Sequence, residues 1–223
     1  MSEDLIVRHC APTLAGLKTG NMFTATFASK TQLHSEVQHL NQILADKGLR
    51  VTVLRIACHA IQSKSSSQSQ NKSSRKTSIK TSCKHRGTHC GKGCIRALIY
   101  IFRPGRLQSD LDAEEAKDIL LRFGYEESSL DGCISRLADR IYECDEFPHE
   151  VGLFLGYPPE DVKGFIDLGG RNSKASGYWK VYGDVDRAQK QFERFSKCTG
   201  VYLECLGRGL PITKLAVNTK VTA

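Results

Sequence analysis

Two stretches of the chain carry the hydrophobic pattern of β-strands, and a long polar segment separates them. Residues 49–57 (LRVTVLRIA) are rich in β-branched side chains and alternate apolar with polar positions, whereas residues 95–103 (IRALIYIFR) form an almost continuous apolar run. Both patterns are typical of strands. We expect the two to be interior strands of one sheet. Residues 21–27 (NMFTATF) and 177–184 (GYWKVYGD) predict two further strands.

Most of the remaining chain has the spacing of amphipathic helices. In residues 31–48, Leu33, Val37, Leu40 and Leu44 recur at intervals of three and four, and Gly48 suits the end of that helix. Pro104 and Gly105 are expected to break the chain after the third strand. Further helices are predicted at 110–125, 129–143, as two short segments within 147–170, and at 185–198 after an Asp184 cap. The tail, residues 210–217, is expected to form a short strand or simply to pack.

The order of these elements predicts the fold class. Strands interspersed with helices indicate one α/β domain over residues 1–223, in which helices pack on a small, mixed sheet of about four strands. A domain of this length buries roughly 70% of its unfolded surface, so it does not need disulfides to fold.

The polar segment at residues 62–94 has a composition of its own, and we call it the basic segment. It is rich in Ser, Gln, Lys and Asn, and it contains eight Lys and Arg residues but no acid. Removing those eight from the 32 basic residues of the chain leaves 24, which equals the number of Asp and Glu residues. A segment with so few apolar groups is expected to be a flexible, disordered insertion in the domain.

The chain shows no feature of a secreted or membrane-bound protein. No apolar run approaches the roughly 20 residues that a membrane helix needs, and the acidic start MSEDLIVRHC does not resemble a signal peptide. We expect a cytoplasmic protein without a membrane partner. Nine cysteines, an odd number, are then expected to be reduced, and most of them to be buried and inert.

Four motifs resemble a known family. They are HCAPTLAGLKTGN (9–21), LIYIFRPGRL (98–107), FPHEVGLFLGYPPEDVKGFI (147–166) and GYWKVYGD (177–184). Together they resemble a bacterial family of unknown function, domain-of-unknown-function family 3793. The resemblance implies a small cytosolic protein of anaerobic Gram-positive bacteria, in which the basic segment is an insertion. The resemblance implies no particular activity, cofactor or catalytic residue.

The first motif is a candidate ligand site. Pro12 suits the first position of a two-turn helix over residues 12–18, which places Cys10 just before a helix N-terminus. That position favours a thiolate, and Lys18 adds positive charge. The segment could hold an anion, present an activated thiol, or be a packed corner. His9 is adjacent to Cys10 in sequence, but neighbouring side chains on an extended chain point to opposite faces.

The second half of the chain supplies further candidates. His149 opens a short helix and could be a ligand or a base, but a capping or packing role explains it better. On a strand, Tyr178, Lys180 and Tyr182 share one face, which could line a ligand pocket or be covered by the last helix. Cys198 and Cys205 are two helical turns apart if that helix continues, which makes a weak metal or redox pair.

The basic segment contains a possible zinc site. Five side chains that bind zinc fall within twelve residues: Cys83, His85, His89, Cys90 and Cys94. No CxxC pair occurs there, so a solvated loop with incidental cysteines is the alternative. The eight basic residues could also contact the phosphates of a nucleic acid, but no aromatic residues alternate with them for base stacking, so we expect a solvated linker instead.

These observations lead to three functional hypotheses. The leading one is a non-enzymatic protein that binds a small anion or a metal, with a role in metal or redox physiology, at a site formed by Cys10, Lys18, His149 and the strand from Tyr178 to Tyr182. The second is an enzyme with Cys10 as nucleophile, activated by His149 or His9. The third is nucleic-acid binding through the basic segment.

Overall fold

The main sheet has three strands around a central β3. The computed structural model describes residues 1–58, 94–126, 129–144 and 146–218. In it β1 (Gly20–Phe27), β2 (Arg50–Cys58) and β3 (Ile95–Phe102) lie in the order β1-β3-β2, and both pairings are antiparallel. The α/β class is confirmed. The sheet is antiparallel rather than mixed because β3 inserts between β1 and β2, the two strands that a parallel crossover would join.

The central position of β3 explains its apolar run. Ile95, Ala97, Ile99 and Ile101 point into one hydrophobic cluster, and Tyr100 and Phe102 point into the other. A strand that is buried on both faces has no polar face to alternate with. β2, in contrast, lies at an edge of the sheet rather than in its interior.

Helices cover both faces of this sheet. The helices are α1 (Glu3–Leu14), α2 (Lys30–Leu44), α3 (Pro104–Asp112), α4 (Glu114–Arg122), α5 (Leu130–Glu143), α6 (Val151–Phe154), α7 (Pro159–Leu168), α8 (Val185–Gly207) and α9 (Ile212–Leu215). Residues of α1, α2 and α9 pack on one face, and residues of α3 to α6 pack on the other. A short 3-10 helix follows α2 and ends at Gly48 with φ of 67°, as predicted. The tail packs as α9. No helix among the described residues is both long and apolar enough to span a bilayer.

The first helix was placed wrongly by the sequence pattern. It begins nine residues before Pro12: the Ser2 hydroxyl accepts from the Leu5 amide, and Glu3 and Asp4 occupy the first turn. Cys10 therefore lies inside the helix, and Pro12 lies in its last turn rather than at its start. Similarly, Pro104 begins α3 instead of breaking the chain, because a proline at the first helical position sacrifices no hydrogen bond.

A separate hairpin replaces the fourth strand. β4 (Ala175–Ser176) and β5 (Lys180–Val181) pair only with each other, so the predicted strand over 177–184 contributes two residues outside the main sheet. The hairpin lies against α7, and its Trp179 and Val181 form a third hydrophobic cluster with residues of α8. α8 is longer than predicted, and the Asp184 side chain caps it through the Arg187 amide.

Candidate functional site

A cavity of about 570 Å³ lies between the α6–α7 region and the β4–β5 hairpin. Two of the family-like motifs supply most of its walls. The lining residues are Glu146, Phe147, Pro148, His149, Val151, Gly152, Tyr157, Asp161, Val162, Phe165, Ser176, Gly177, Trp179 and Lys180. Four of them are aromatic, so the surface offered to a ligand is predominantly apolar.

Asp161 holds the two sides of the cavity together. One oxygen of this buried carboxylate accepts from the Trp179 indole at 2.7 Å, and the other accepts from the amides of Tyr182 at 2.7 Å and Gly183 at 2.8 Å. Because three donors from the hairpin meet one side chain of α7, the hairpin is fixed against the helix. Trp179, the single tryptophan of the chain, is thereby oriented in the cavity wall.

Glycines allow the walls to approach closely. A Cβ on Gly152 would lie 2.7 Å from Val162 and 3.2 Å from Tyr157. A Cβ on Gly164 would lie 2.4 Å from the Tyr182 ring. Any larger residue at these two positions would push α6, α7 and the hairpin apart.

Two basic side chains face the cavity next to one ring. The His149 imidazole meets Phe165 edge-on, with 4.8 Å between ring centroids, and the Lys180 ammonium lies 5.9 Å from the centroid of the same ring. Lys180 also donates to the carbonyl of Gly170, which holds the ammonium near Phe165 and leaves it two further N–H donors. Both residues are exposed, so a ligand can reach them.

This arrangement suits a ligand with an apolar body and one anionic group. The aromatic walls can cover a ring or chain, and Lys180 and His149 can donate to an oxyanion at one end. A cationic ligand fits less well, because Lys180 already occupies the cation position over Phe165. The carboxylate of Asp161 is engaged by three donors and is not available to a cation.

A second cavity of about 540 Å³ lies on the other side of a shared wall. Tyr157, Asp161 and Trp179 line both cavities. The second cavity has charged side chains of both signs, including Arg106, Asp110, Glu160, Lys163 and Arg187. Burial raises the pKa of Asp110, which accepts a hydrogen bond from the Thr19 hydroxyl.

Cys10 and Lys18 lie near each other but outside the 570 Å³ cavity. Both side chains are buried, and they interact electrostatically. Burial raises the pKa of the Cys10 thiol far above its ordinary value, which is the opposite of what a helix N-terminus would do. His9 is exposed on the same helix and stacks on Phe23, with 5.5 Å between ring centroids. The structure therefore does not offer Cys10 as an activated nucleophile.

The predicted Tyr178–Lys180–Tyr182 face is divided among three environments. Tyr178 contacts Phe192 and Phe195 of α8, and the Tyr182 ring packs against Gly164 of α7. Lys180 alone faces the cavity. Of the six predicted ligand-binding residues, the structure brings His149 and Lys180 together.

The predicted zinc ligands cannot be placed as a group. Cys83, His85, His89 and Cys90 lie outside the described residues, and Cys94 is exposed at the start of β3. Cys198 and Cys205 are partly buried on α8 against the first hydrophobic cluster. In the part of the chain that the structure describes, no three His, Cys, Asp or Glu side chains lie close enough to hold a metal ion.

Sequence reasoning missed several buried charged residues, and two of them fix the site and the fold. Asp161 is one, and the acid-rich start of α7 was the visible signal for it. The other is Arg103, whose guanidinium donates to the carbonyls of Thr13, Leu14 and Val217 at 2.8 Å and of Lys47 at 3.0 Å. It ties the end of α1 to the tail, and no local pattern around residue 103 indicates these distant partners.

Comparison with known proteins gives one match. No curated protein and no solved structure matches the chain. A family model matches residues 6–64 and 57–216, two segments that overlap near the start of the basic segment and together cover residues 6–216. The chain therefore belongs to the family described as Protein of unknown function (DUF3793).

Proposed function

We propose that this protein binds a small organic anion in the cavity between α6–α7 and the β4–β5 hairpin. The ligand has an apolar or aromatic body, which the four aromatic side chains cover, and one carboxylate, sulfonate or phosphate group, which Lys180 and His149 contact. The observation that carries the proposal is the convergence of these two basic side chains on one ring of a predominantly apolar cavity. Its volume of about 570 Å³ falls in the ordinary range for small-molecule sites.

The proposed role is binding rather than catalysis. Within the described residues, no cysteine lines the cavity, and no three His, Cys, Asp or Glu side chains lie close enough to hold a metal ion. The Cys10 hypothesis loses support because the thiol is buried and its pKa is raised. The proposal includes a bacterial, cytoplasmic protein whose cysteines are reduced.

Two matched fluorescent probes test the proposal. 1-Anilinonaphthalene-8-sulfonate is an aromatic anion, and N-phenyl-1-naphthylamine has the same rings without the sulfonate. Because Trp179 is the only tryptophan and lines the cavity, a probe bound there quenches its emission by energy transfer. We expect both probes to bind saturably, and the anion to bind more tightly.

Two lysine variants locate the anion. Lys180→Met should weaken binding of the sulfonate probe about fivefold to tenfold, the effect of one exposed charge-assisted hydrogen bond, and should leave the neutral probe unchanged. Lys174→Met is the matched control, because Lys174 lies in the same hairpin but outside the cavity. Absence of saturable quenching with either probe contradicts a ligand site. Equal losses in both lysine variants contradict the proposed contact.

A further inference from the structure

Lys18 is a buried cation that forms no ion pair with the described residues. Its side chain is 3% exposed, and it follows the end of α1. Within the described residues no carboxylate and no hydrogen-bond acceptor lies within bonding distance of its ammonium. Burying an unpaired charge is costly, so such groups are rare unless something else compensates for them.

The ammonium lies against a wall of the candidate site. Lys18 Nζ is 5.0 Å from the centroid of the Tyr157 ring, and that ring lines both cavities. Tyr157 also contacts Trp179, with 4.9 Å between ring centroids, and its hydroxyl donates to the carbonyl of Tyr178 at 3.1 Å. The Tyr157 ring therefore contacts the buried cation and also lines the space that a ligand would fill.

We propose that Lys18 is a third cation of the binding site, which favours an anionic ligand through the Tyr157 ring without touching it. The inference rests on the proposed function. It means that a residue outside the cavity contributes to the preference for an anionic ligand. Lys18 is thus a positioning and specificity-determining residue.

Among the described residues, two titratable groups are found next to Lys18: the Cys10 thiol from α1 and the Tyr157 phenol from the α6–α7 connection. Burial raises the pKa of both, that of Tyr157 to about 12, so neither is an anion near neutral pH. The neighbouring Thr19 donates its hydroxyl to the carboxyl of Asp110 in α3; burial raises the pKa of this carboxyl, and the hydrogen bond lowers it.

The size of the effect follows from Coulomb's law. If the anionic group of the ligand lies roughly 10 Å from the ammonium, a unit charge at an effective dielectric constant near 20 changes affinity roughly tenfold. Salt screens this interaction less than it screens an exposed pair, because Lys18 is buried.

The first experiment compares the two naphthalene probes on Lys18→Met. We expect the sulfonate probe to lose five- to tenfold in affinity and the neutral probe to keep its affinity, because methionine preserves the apolar volume and removes the charge. A purely structural role of Lys18 would shift both probes together. Equal loss for the two probes, or no loss for either, overturns the inference.

A pH profile gives an independent readout. Burial lowers the pKa of Lys18 to about 8, so the ammonium loses its charge between about pH 7 and pH 9. Both proteins should carry His149→Gln, so that the imidazole does not contribute. Affinity for the sulfonate, whose charge is constant, should fall across this range when Lys18 is present and stay flat with Lys18→Met. A slope that persists in Lys18→Met contradicts the inference.

The two proposals fail differently. If neither probe binds the unchanged protein, the proposed site is wrong. If both probes bind and Lys180→Met weakens the sulfonate selectively, but Lys18→Met does not, the site stands and the role of Lys18 is wrong. Lys18→Arg adds a check, since a permanent cation should keep the sulfonate affinity and abolish the pH slope.

Discussion

The Trp179 indole N–H donates to Asp161 at 2.7 Å, and the two buried side chains come from elements that sequence patterns treat as independent. The same carboxylate accepts from the amides of Tyr182 and Gly183. This single acid therefore decides where the hairpin lies and which way the aromatic wall of the cavity faces. The candidate site depends on it even though a ligand need not touch it.

Replacing Asp161 should release the hairpin. In Asp161→Asn the amide group presents N–H donors where the native carboxylate accepts three hydrogen bonds, which leaves at least one buried group unpaired. We expect a loss of roughly 2–4 kcal/mol in the free energy of unfolding and a red shift of Trp179 emission. Urea unfolding and emission spectra measure both. The control is Asp167→Asn, at an exposed ion pair of the same helix, for which we expect a much smaller loss.

Two glycine-to-alanine substitutions in helices should change the stability of the protein in opposite directions. Gly164→Ala places a Cβ 2.4 Å from the Tyr182 ring, so α7 and the hairpin must separate. Gly200→Ala in α8 meets nothing within 4 Å. We expect the first to destabilise the protein by about 1–3 kcal/mol, and the second to stabilise it by up to about 1 kcal/mol, because alanine favours a helix. Thermal unfolding distinguishes them; two changes of the same sign would contradict the packing described for the hairpin.

The buried ammonium of Lys18 should lower the free energy of unfolding at neutral pH. Its pKa of about 8 in the folded protein lies below the ordinary 10.5, so the unfolded chain binds more protons between those values, and the contribution of Lys18 to stability rises with pH across this window. Below about pH 8 the full cost applies, on the order of 3 kcal/mol. Lys18→Met should remove it and stabilise the protein.

The test of this prediction measures how the difference in unfolding free energy between Lys18→Met and the unchanged protein varies with pH. Cys10, with its raised pKa, contributes a slope of the opposite sign above about pH 9 to both. The stability gain of Lys18→Met over the unchanged protein should therefore be largest near pH 7 and shrink towards pH 10.5. A gain that does not vary with pH would mean that Lys18 is not buried as a cation.

Replacing the buried Arg103 should lower the free energy of unfolding more than replacing an exposed arginine. Its guanidinium donates to four backbone carbonyls, two of them at the end of α1, and Arg103→Met would remove all four hydrogen bonds of this buried side chain. We expect a loss of about 3 kcal/mol or more. Arg106→Met is the control, since Arg106 is exposed and donates to the Gly16 carbonyl alone among the described contacts, and should cost under about 1 kcal/mol. Similar losses for the two arginines in urea unfolding would contradict this role.

Periodicity predicted the elements well where local burial decides them. The apolar run of β3 and the three-four spacing of α2 both reflect faces that are buried in the structure. The N-terminus of α1 was missed because Pro12 looked like a helix start, although Ser2, Glu3 and Asp4 carry the stronger start signal. The order β1-β3-β2 was beyond local patterns, since it depends on pairing between strands far apart in sequence.

The candidate site was only half visible in the sequence. His149 and Lys180 were identified because they lie in long motifs, and the structure places both at the same ring. Cys10 was misassigned because its chemistry depends on burial, which reverses the expected direction of its pKa. The hydrogen bond from Trp179 to Asp161 joins residues 18 apart in sequence. It depends on tertiary packing, so no local spacing pattern predicts it.

The most direct test of a ligand site here is the indole resonance of Trp179. Since the chain has one tryptophan, a 15N–1H correlation spectrum should show a single indole N–H peak, from a group that lines the cavity and is held by Asp161. Aromatic and aliphatic carboxylates are titrated against this peak, and matched amides serve as neutral controls. Ser176→Phe, at an exposed lining position, narrows the cavity. We predict that carboxylates shift the peak saturably and that Ser176→Phe abolishes the shift. A peak that no carboxylate moves, or that moves equally in Ser176→Phe, would contradict the site.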